Sequence, residues 1–276
     1  MNTYKLIASR QFSLIANQEF VASFASKRGL FVTGIFILIW SFLLFYPIRL
    51  SAQAMHNPEI SSLMVSLLSL VGLEPLKTWL VAEFAVYWVV ALFLFPAFSL
   101  LIAADQMISE RNRGGLRFLT LRCSRGQIFF GRFVAHLLIQ AILLIMTLVI
   151  TYFLLLTHNR ENWLSGLQLL PLMFLNIMIA VLPFVALMSL LSILMNSVRM
   201  ASLMAIVILA LGSVMINYLA GYIPFLSILN TWVPGTQIVH MAQSTPHTAL
   251  MSLWIPLLQT LGFLMMGYWV FRKQEI

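Results

Sequence analysis

From Phe133 to Thr157 the chain runs FVAHLLIQAILLIMTLVITYFLLLT, without a formal charge at neutral pH. Such a run exceeds the roughly 20 apolar residues with which one helix crosses a hydrocarbon core of about 30 Å. Comparable runs stand on either side of it, at about 30–47, 79–104, 167–195, 200–220 and 252–271, the second of them uncharged from 84 onward. The runs at 133–157 and 167–195 are long enough to tilt or to project into the interface. Pro96 and Pro183 fall inside the second and fourth runs and predict kinks there. The first run begins too late for a secretory signal, and Pro47 and Arg49 follow it in place of a small-residue cleavage pattern, so it reads as a retained span. Composition agrees: of 276 residues 61% are hydrophobic and only 9% charged, where a soluble domain carries about 25% charge. That excludes a soluble globular body and a disordered chain, and a single cysteine, Cys123, excludes a disulfide scaffold. The expected fold class is an all-α membrane protein of six spans.

The net charge of +8 belongs to orientation. With the N-terminus in the cytoplasm, Arg49, Lys77 and Arg160 alone among the sixteen Lys and Arg residues fall outside. This positive-inside bias predicts an N-in, C-in topology. No aromatic-basic platform accompanies the charge, so no nucleic-acid partner is expected.

Residues 1–28 read as an amphipathic helix resting on the cytoplasmic face, with Leu6, Ile7, Phe12, Leu14 and Phe20 on its apolar side and Lys5, Arg10 and Glu19 on its polar side. The segment 48–78 is expected outside, with the apolar stretch Ile60 to Leu73 too short for a comfortable crossing. The uncharged stretch 221–251, broken by Pro224, Pro234, Gly235 and Pro246, predicts a re-entrant outer element of short helices before the last span. His240 and His247 lie there without a nearby Cys, Asp or Glu, which is no metal-binding pattern. Gln140, Asn176, Asn196 and Asn217 are expected to make hydrogen bonds between helices.

The informative loop is 105–132. It reads Asp105-Gln-Met-Ile-Ser-Glu110-Arg111-Asn-Arg113-Gly114-Gly115-Leu116-Arg117-Phe-Leu-Thr, and then brings Arg122, Arg125 and Arg132. Asp105 is the only aspartate in the protein. Ordered alternation of acid, base, glycine and leucine suits a docking surface better than a scattering of positive charge does. A short interfacial helix is expected across Gly114–Gly115, with Leu116, Leu119 and Ile128 toward the membrane and Glu110 and the arginines toward water. Leu121 to Gln127 reads as a turn, and Ile128 as the start of the helix into span three.

This loop, followed by Cys123-Ser124-Arg125, Ile128 and Gly131-Arg-Phe, resembles the cytoplasmic signature of type 2 ABC-exporter permeases. Cys123 stands where that turn often has proline or a small residue, and Gly114-Gly115 replaces the more usual Gly-Thr. The resemblance implies a permease subunit that pairs with a second copy of itself or a relative, and with two separate ABC ATP-binding subunits. It makes 105–132 the coupling loop to the ATPase, through Asp105, Glu110, Arg111, Arg113, Gly114, Leu116 and Arg117. It also implies a bacterial inner membrane location and outward transport, with ATP and Mg on the partner subunit. In compact size and plan the chain is similar to the permeases of nitrous-oxide-reductase maturation exporters.

The residues themselves show neither a phosphate-binding glycine loop nor a dinucleotide fingerprint, and neither Ser109 nor Ser124 has a triad partner. No cofactor or metal is therefore expected in this chain, and hydrolysis is assigned to a partner. Cys123 between arginines reads as incidental. Glu83, near the outer end of span two, is a candidate pathway or gate residue, since a carboxylate at membrane depth is costly unless it is paired or wetted. The residues alone leave two other readings open. One is an ion-coupled secondary transporter, and the other is a membrane platform for a maturation or signalling complex.

Overall fold

Lipid offers the backbone no hydrogen bonds, so apolar runs of this length satisfy their own amides by forming helices. In the structure, a computed structural model, residues 20–21, 27–49, 79, 81–158, 160–223, 225 and 232–274 are described. Every regular element among them is helical. The expected amphipathic helix at 1–28 and the apolar stretch at 60–73 lie outside the described residues, apart from positions 20, 21, 27 and 28. The elements are α1 (Lys27–Leu43, continued by a π-helical turn Leu44–Ile48), α2 (Ala82–Ile102), α3 (Ile108–Asn112), α4 (Gly115–Arg122), α5 (Arg125–His158), α6 (Trp163–Leu194), α7 (Val198–Ala220), α8 (Thr236–Ala242), α9 (Pro246–Ala249) and α10 (Trp254–Lys273). Six of these, α1, α2, α5, α6, α7 and α10, are long and apolar enough to cross a membrane. The described residues thus form an all-helical set with six candidate membrane spans.

Helix α6 is the hub. Its apolar window is 78% buried, against 17% for α1 and 11% for α7, and it packs on α2, α5, α7 and α10. Small residues make that centrality feasible: Ala180, Ala186, Ser189 and Ser192 are all buried on it, and small side chains let helix axes approach closely where no hydrophobic effect drives them together. Two glycines mark the tightest approaches. A Cβ at Gly166 would lie 2.4 Å from Leu155 Cδ2, where α5 meets α6. One at Gly267 would lie 2.9 Å from Phe129 Cζ and 3.5 Å from Leu190 Cα, where α10 meets both.

Aromatic rings fasten α1 to α2. Phe36 meets Phe98 edge-on with centroids 5.0 Å apart, and Trp40 lies 5.3 Å from Tyr87 and 5.4 Å from Phe95. Tyr87 then reaches α5, with its hydroxyl 2.8 Å from Thr147 Oγ1. Pro96 and Pro183 both sit within continuous helix. Asn176 on α6 donates its amide to Pro246 O at 2.9 Å and so ties the short helix α9 to the hub. Gln140 departs from the sequence expectation. It is buried on α5, and neither of its amide atoms has a hydrogen-bond partner among the described residues.

Overpacking a close helix approach costs about 1–3 kcal/mol. Gly267→Val should therefore lower the unfolding midpoint of the purified protein in detergent. Gly262→Ala, with nothing within 4 Å of its added Cβ, should leave that midpoint unchanged or slightly raised.

Candidate functional site

The charged loop folds as two short helices across a glycine hinge. Asp105 starts it: its carboxylate accepts the Ser109 N–H at 3.0 Å and the Ser109 hydroxyl at 2.6 Å, covering a first-turn amide that α3 cannot satisfy itself. Gly114 ends α3 with φ at +72°, a left-handed conformation that glycine adopts without a steric penalty, and α4 starts at the next residue. The turn after α4 is shorter than the sequence suggested. Helix α4 runs to Arg122, and α5 begins at Arg125, not at Ile128. The reason is a reciprocal cap. Ser124 Oγ accepts the Gln127 N–H at 3.3 Å, while Gln127 Oε1 accepts the Ser124 N–H at 2.8 Å.

The side chains also divide differently from the amphipathic expectation. Leu116 and Ile128 are buried inside the protein, not turned to the membrane, and Leu119 is half-buried against the same core. Glu110 forms an ion pair with Arg132, whose side chain is only 2% exposed. Arg132 also donates to Gln106 O, and Gln106 Oε1 accepts the Ser189 hydroxyl of α6 at 2.6 Å.

Arg111 likewise turns inward. It donates to Ile193 O at 2.5 Å, to Met195 O, and to Asn196 Oδ1 at 3.2 Å, while Asn112 donates to Asn196 O at 3.2 Å. Arg125 does the same for the last span, donating to Phe271 O at 3.0 Å, Arg272 O at 2.9 Å and Gln274 O at 2.7 Å. Gln274 closes the ring by donating to Ile193 O at 3.1 Å. The physical reason is common to both arginines. The final carbonyls of a helix lack intrahelical donors and carry the negative end of its dipole, and a guanidinium answers both needs. Two arginines of the loop thus hold the ends of α6 and α10.

What remains outward is a small mixed face. Arg113 and Arg117 are exposed, and between the loop's charges stand Phe118 at 74% exposure and Leu121 at 83%. Phe118 and Leu121, three positions apart on α4, share a helix face. An exposed aromatic and an exposed leucine thus stand on α4, with the exposed Arg117 on the same short helix and Arg113 just before it.

Residues 13–276 match the model of the ABC-2 family transporter protein. The chain belongs to that family. A search of curated proteins returned no match. As an ABC-2 protein it is a membrane subunit of an ABC transporter, in a family that is generally not catalytic itself and usually pairs with ATP-binding subunits.

Glu83 is not part of this ABC-2 loop. It is 3% exposed in the first turn of α2, at the opposite end of a 21-residue helix, about 30 Å away at 1.5 Å per residue. Among the described residues no ion pair reaches it, and no group of three or more His, Cys, Asp and Glu is gathered that could hold a metal. His240 and His247 are each exposed. The sequence reading missed the inward turns of Glu110, Arg111 and Arg125 and the outward stance of Phe118 and Leu121. The Ser124-x-x-Gln127 capping spacing was the available signal for the early start of α5.

Removing one partner of a buried ion pair costs about 3–5 kcal/mol, because the other charge is left uncompensated. Glu110→Ala should therefore lower the unfolding midpoint well beyond Arg117→Ala, and Glu110→Ala/Arg132→Met should recover most of the loss. A double-mutant cycle showing no coupling between the two positions would contradict the pair.

Proposed function

We propose that this chain is the membrane half of an exporter in a bacterial inner membrane, N-in and C-in, acting as two permeases with two ABC ATP-binding subunits. The exposed Arg117, Phe118 and Leu121 on α4, with Arg113 at the end of α3, carry the proposal, while Glu110, Arg111, Leu116 and Arg125 of the same loop turn inward. The ATPase docks on those exposed side chains. ATP and Mg stay on the partner, and this chain supplies no catalytic group.

The inward side chains supply the transmission. A push on α4 passes through the Gly114 hinge to α3, and Arg111 carries it to the carbonyls that end α6. Arg125 carries it to the end of α10. Asp105 and Glu110 keep the loop in register, by the Ser109 cap and the Arg132 pair. Leu116 anchors the underside of α4 in the core. This divides the residues into those that meet the ATPase and those that convey its motion. The positive-inside bias supports the orientation, and the short helices α8 and α9 before the last span support a re-entrant element there. The compact plan supports a place near the permeases of nitrous-oxide-reductase maturation exporters. Glu83 lies far from the docking face, where a gate role is open to it.

Truncating a central contact residue of an interface costs at least about 2 kcal/mol, roughly thirtyfold in affinity. Phe118→Asp and Leu121→Asp should strip the ATPase from the tagged permease during purification while leaving the permease monodisperse. Arg111→Gln should retain the ATPase but lose the stimulation of its hydrolysis by transported substrate. Recovery of unchanged ATPase with the Phe118→Asp/Leu121→Asp double variant would remove the docking assignment.

A further inference from the structure

At the end of the bundle away from the charged loop, α5 and α6 form a hairpin, and its two sides differ. On the inner side Gly166 lets the helices close, with no room for even a Cβ beside Leu155. The Tyr152 hydroxyl, 3.4 Å from Trp163 O, braces the same junction. At the hairpin's tip, the end of α5, the turn after it and the first residue of α6 line an open cavity of about 460 Å³, with Phe153, Leu156, Thr157, Arg160 and Trp163 around it.

Its lining is chemically specific. Arg160 is exposed and takes part in no ion pair among the described residues. Trp163, 49% exposed, adds an indole N–H and an apolar ring. The Thr157 hydroxyl is committed to Leu154 O at 2.7 Å, so the donors left for a ligand are the guanidinium and the indole. Running back along α5 from the cleft, Phe153, Ile150, Val149 and Met146 are exposed over two turns, an apolar track on the outside of the helix. A cation at headgroup level, a tryptophan beside it and an exposed hydrocarbon track beneath match a phosphate group joined to an acyl chain.

We propose that this cleft is a binding site for an anionic phospholipid, with its phosphate on Arg160, its glycerol region against Trp163 and an acyl chain along Phe153 and Ile150. The site belongs to the leaflet that the hairpin reaches and does not depend on the transport assignment. An occupant there would bridge α5 to α6, the helix against which the other spans pack.

The test is native mass spectrometry of the purified full-length protein, released from nanodiscs of phosphatidylglycerol and phosphatidylcholine in equal amounts. The expected result is one phosphatidylglycerol retained per chain, with occupancy at least about tenfold lower in Arg160→Gln, the loss of a charge-assisted bond of about 1.4 kcal/mol or more. Arg160→Lys should keep part of it, and Arg113→Gln, at the other end, all of it. Trp163→Ala reads the same cleft should Arg160→Gln fail to accumulate, and it too should lower occupancy. Equal retention of phosphatidylcholine, or unchanged phosphatidylglycerol in Arg160→Gln or Trp163→Ala, would overturn the proposal. So would release of the lipid by inorganic phosphate alone, which would make the cleft a site for the free anion.

Discussion

A guanidinium buried to 2% exposure in a helix bundle that lipid surrounds must bring its partners with it, and Arg132 does. Glu110 supplies the counter-charge, Gln106 O a further acceptor, and Ser189 donates to the Gln106 side-chain oxygen. Each partner comes from a different stretch of chain: α3, the segment between α2 and α3, and α6. The need to neutralise one charge therefore draws three elements to the foot of α5. Water would have screened that charge and left the loop free to swing. Inside the bundle the same charge makes the loop part of the fold, because a buried ion without its partner costs far more than the pair gives back.

Arg111 and Arg125 extend the principle from charge to backbone. Helices ending at one level of a bundle leave their last carbonyls in the same layer, all needing donors and all at the negative ends of dipoles. Two arginines answer this for α6 and α10, and Gln274 joins the two answers at Ile193 O. A loop bonded in this way to the ends of two long helices cannot move alone. Displacing it either breaks several hydrogen bonds to charged donors or carries the helix ends along.

Burial is uneven across the six long helices. The window of α6 is 78% buried, while those of α1 and α7 are 17% and 11% buried. The exposed surface of α1 and α7 is apolar, with Leu30, Phe31, Leu38 and Phe42 on the one and Leu203, Ile206, Leu211 and Val214 on the other. In lipid such faces carry no penalty, so the hydrophobic effect does not force them together. Close packing concentrates where small residues permit it, along α6 and at Gly166 and Gly267.

The six helices long and apolar enough to cross a membrane were legible from the chain alone, because length and apolarity are constraints each segment meets by itself. Which way the loop's side chains face was not. Helical periodicity set Glu110 and the arginines toward water and Leu116 and Ile128 toward lipid, and in the structure Glu110, Arg111 and Arg125 turn inward, Leu116 and Ile128 lie in the core, and Phe118 and Leu121 stand out. Periodicity records only which residues share a face. What that face meets depends on the neighbours, and those neighbours, the ends of α6 and α10, lie some 80 to 150 residues further along the chain. An arginine is soluble in water and equally well placed on a row of helix-end carbonyls, so its direction was decided only when the bundle brought those carbonyls within reach.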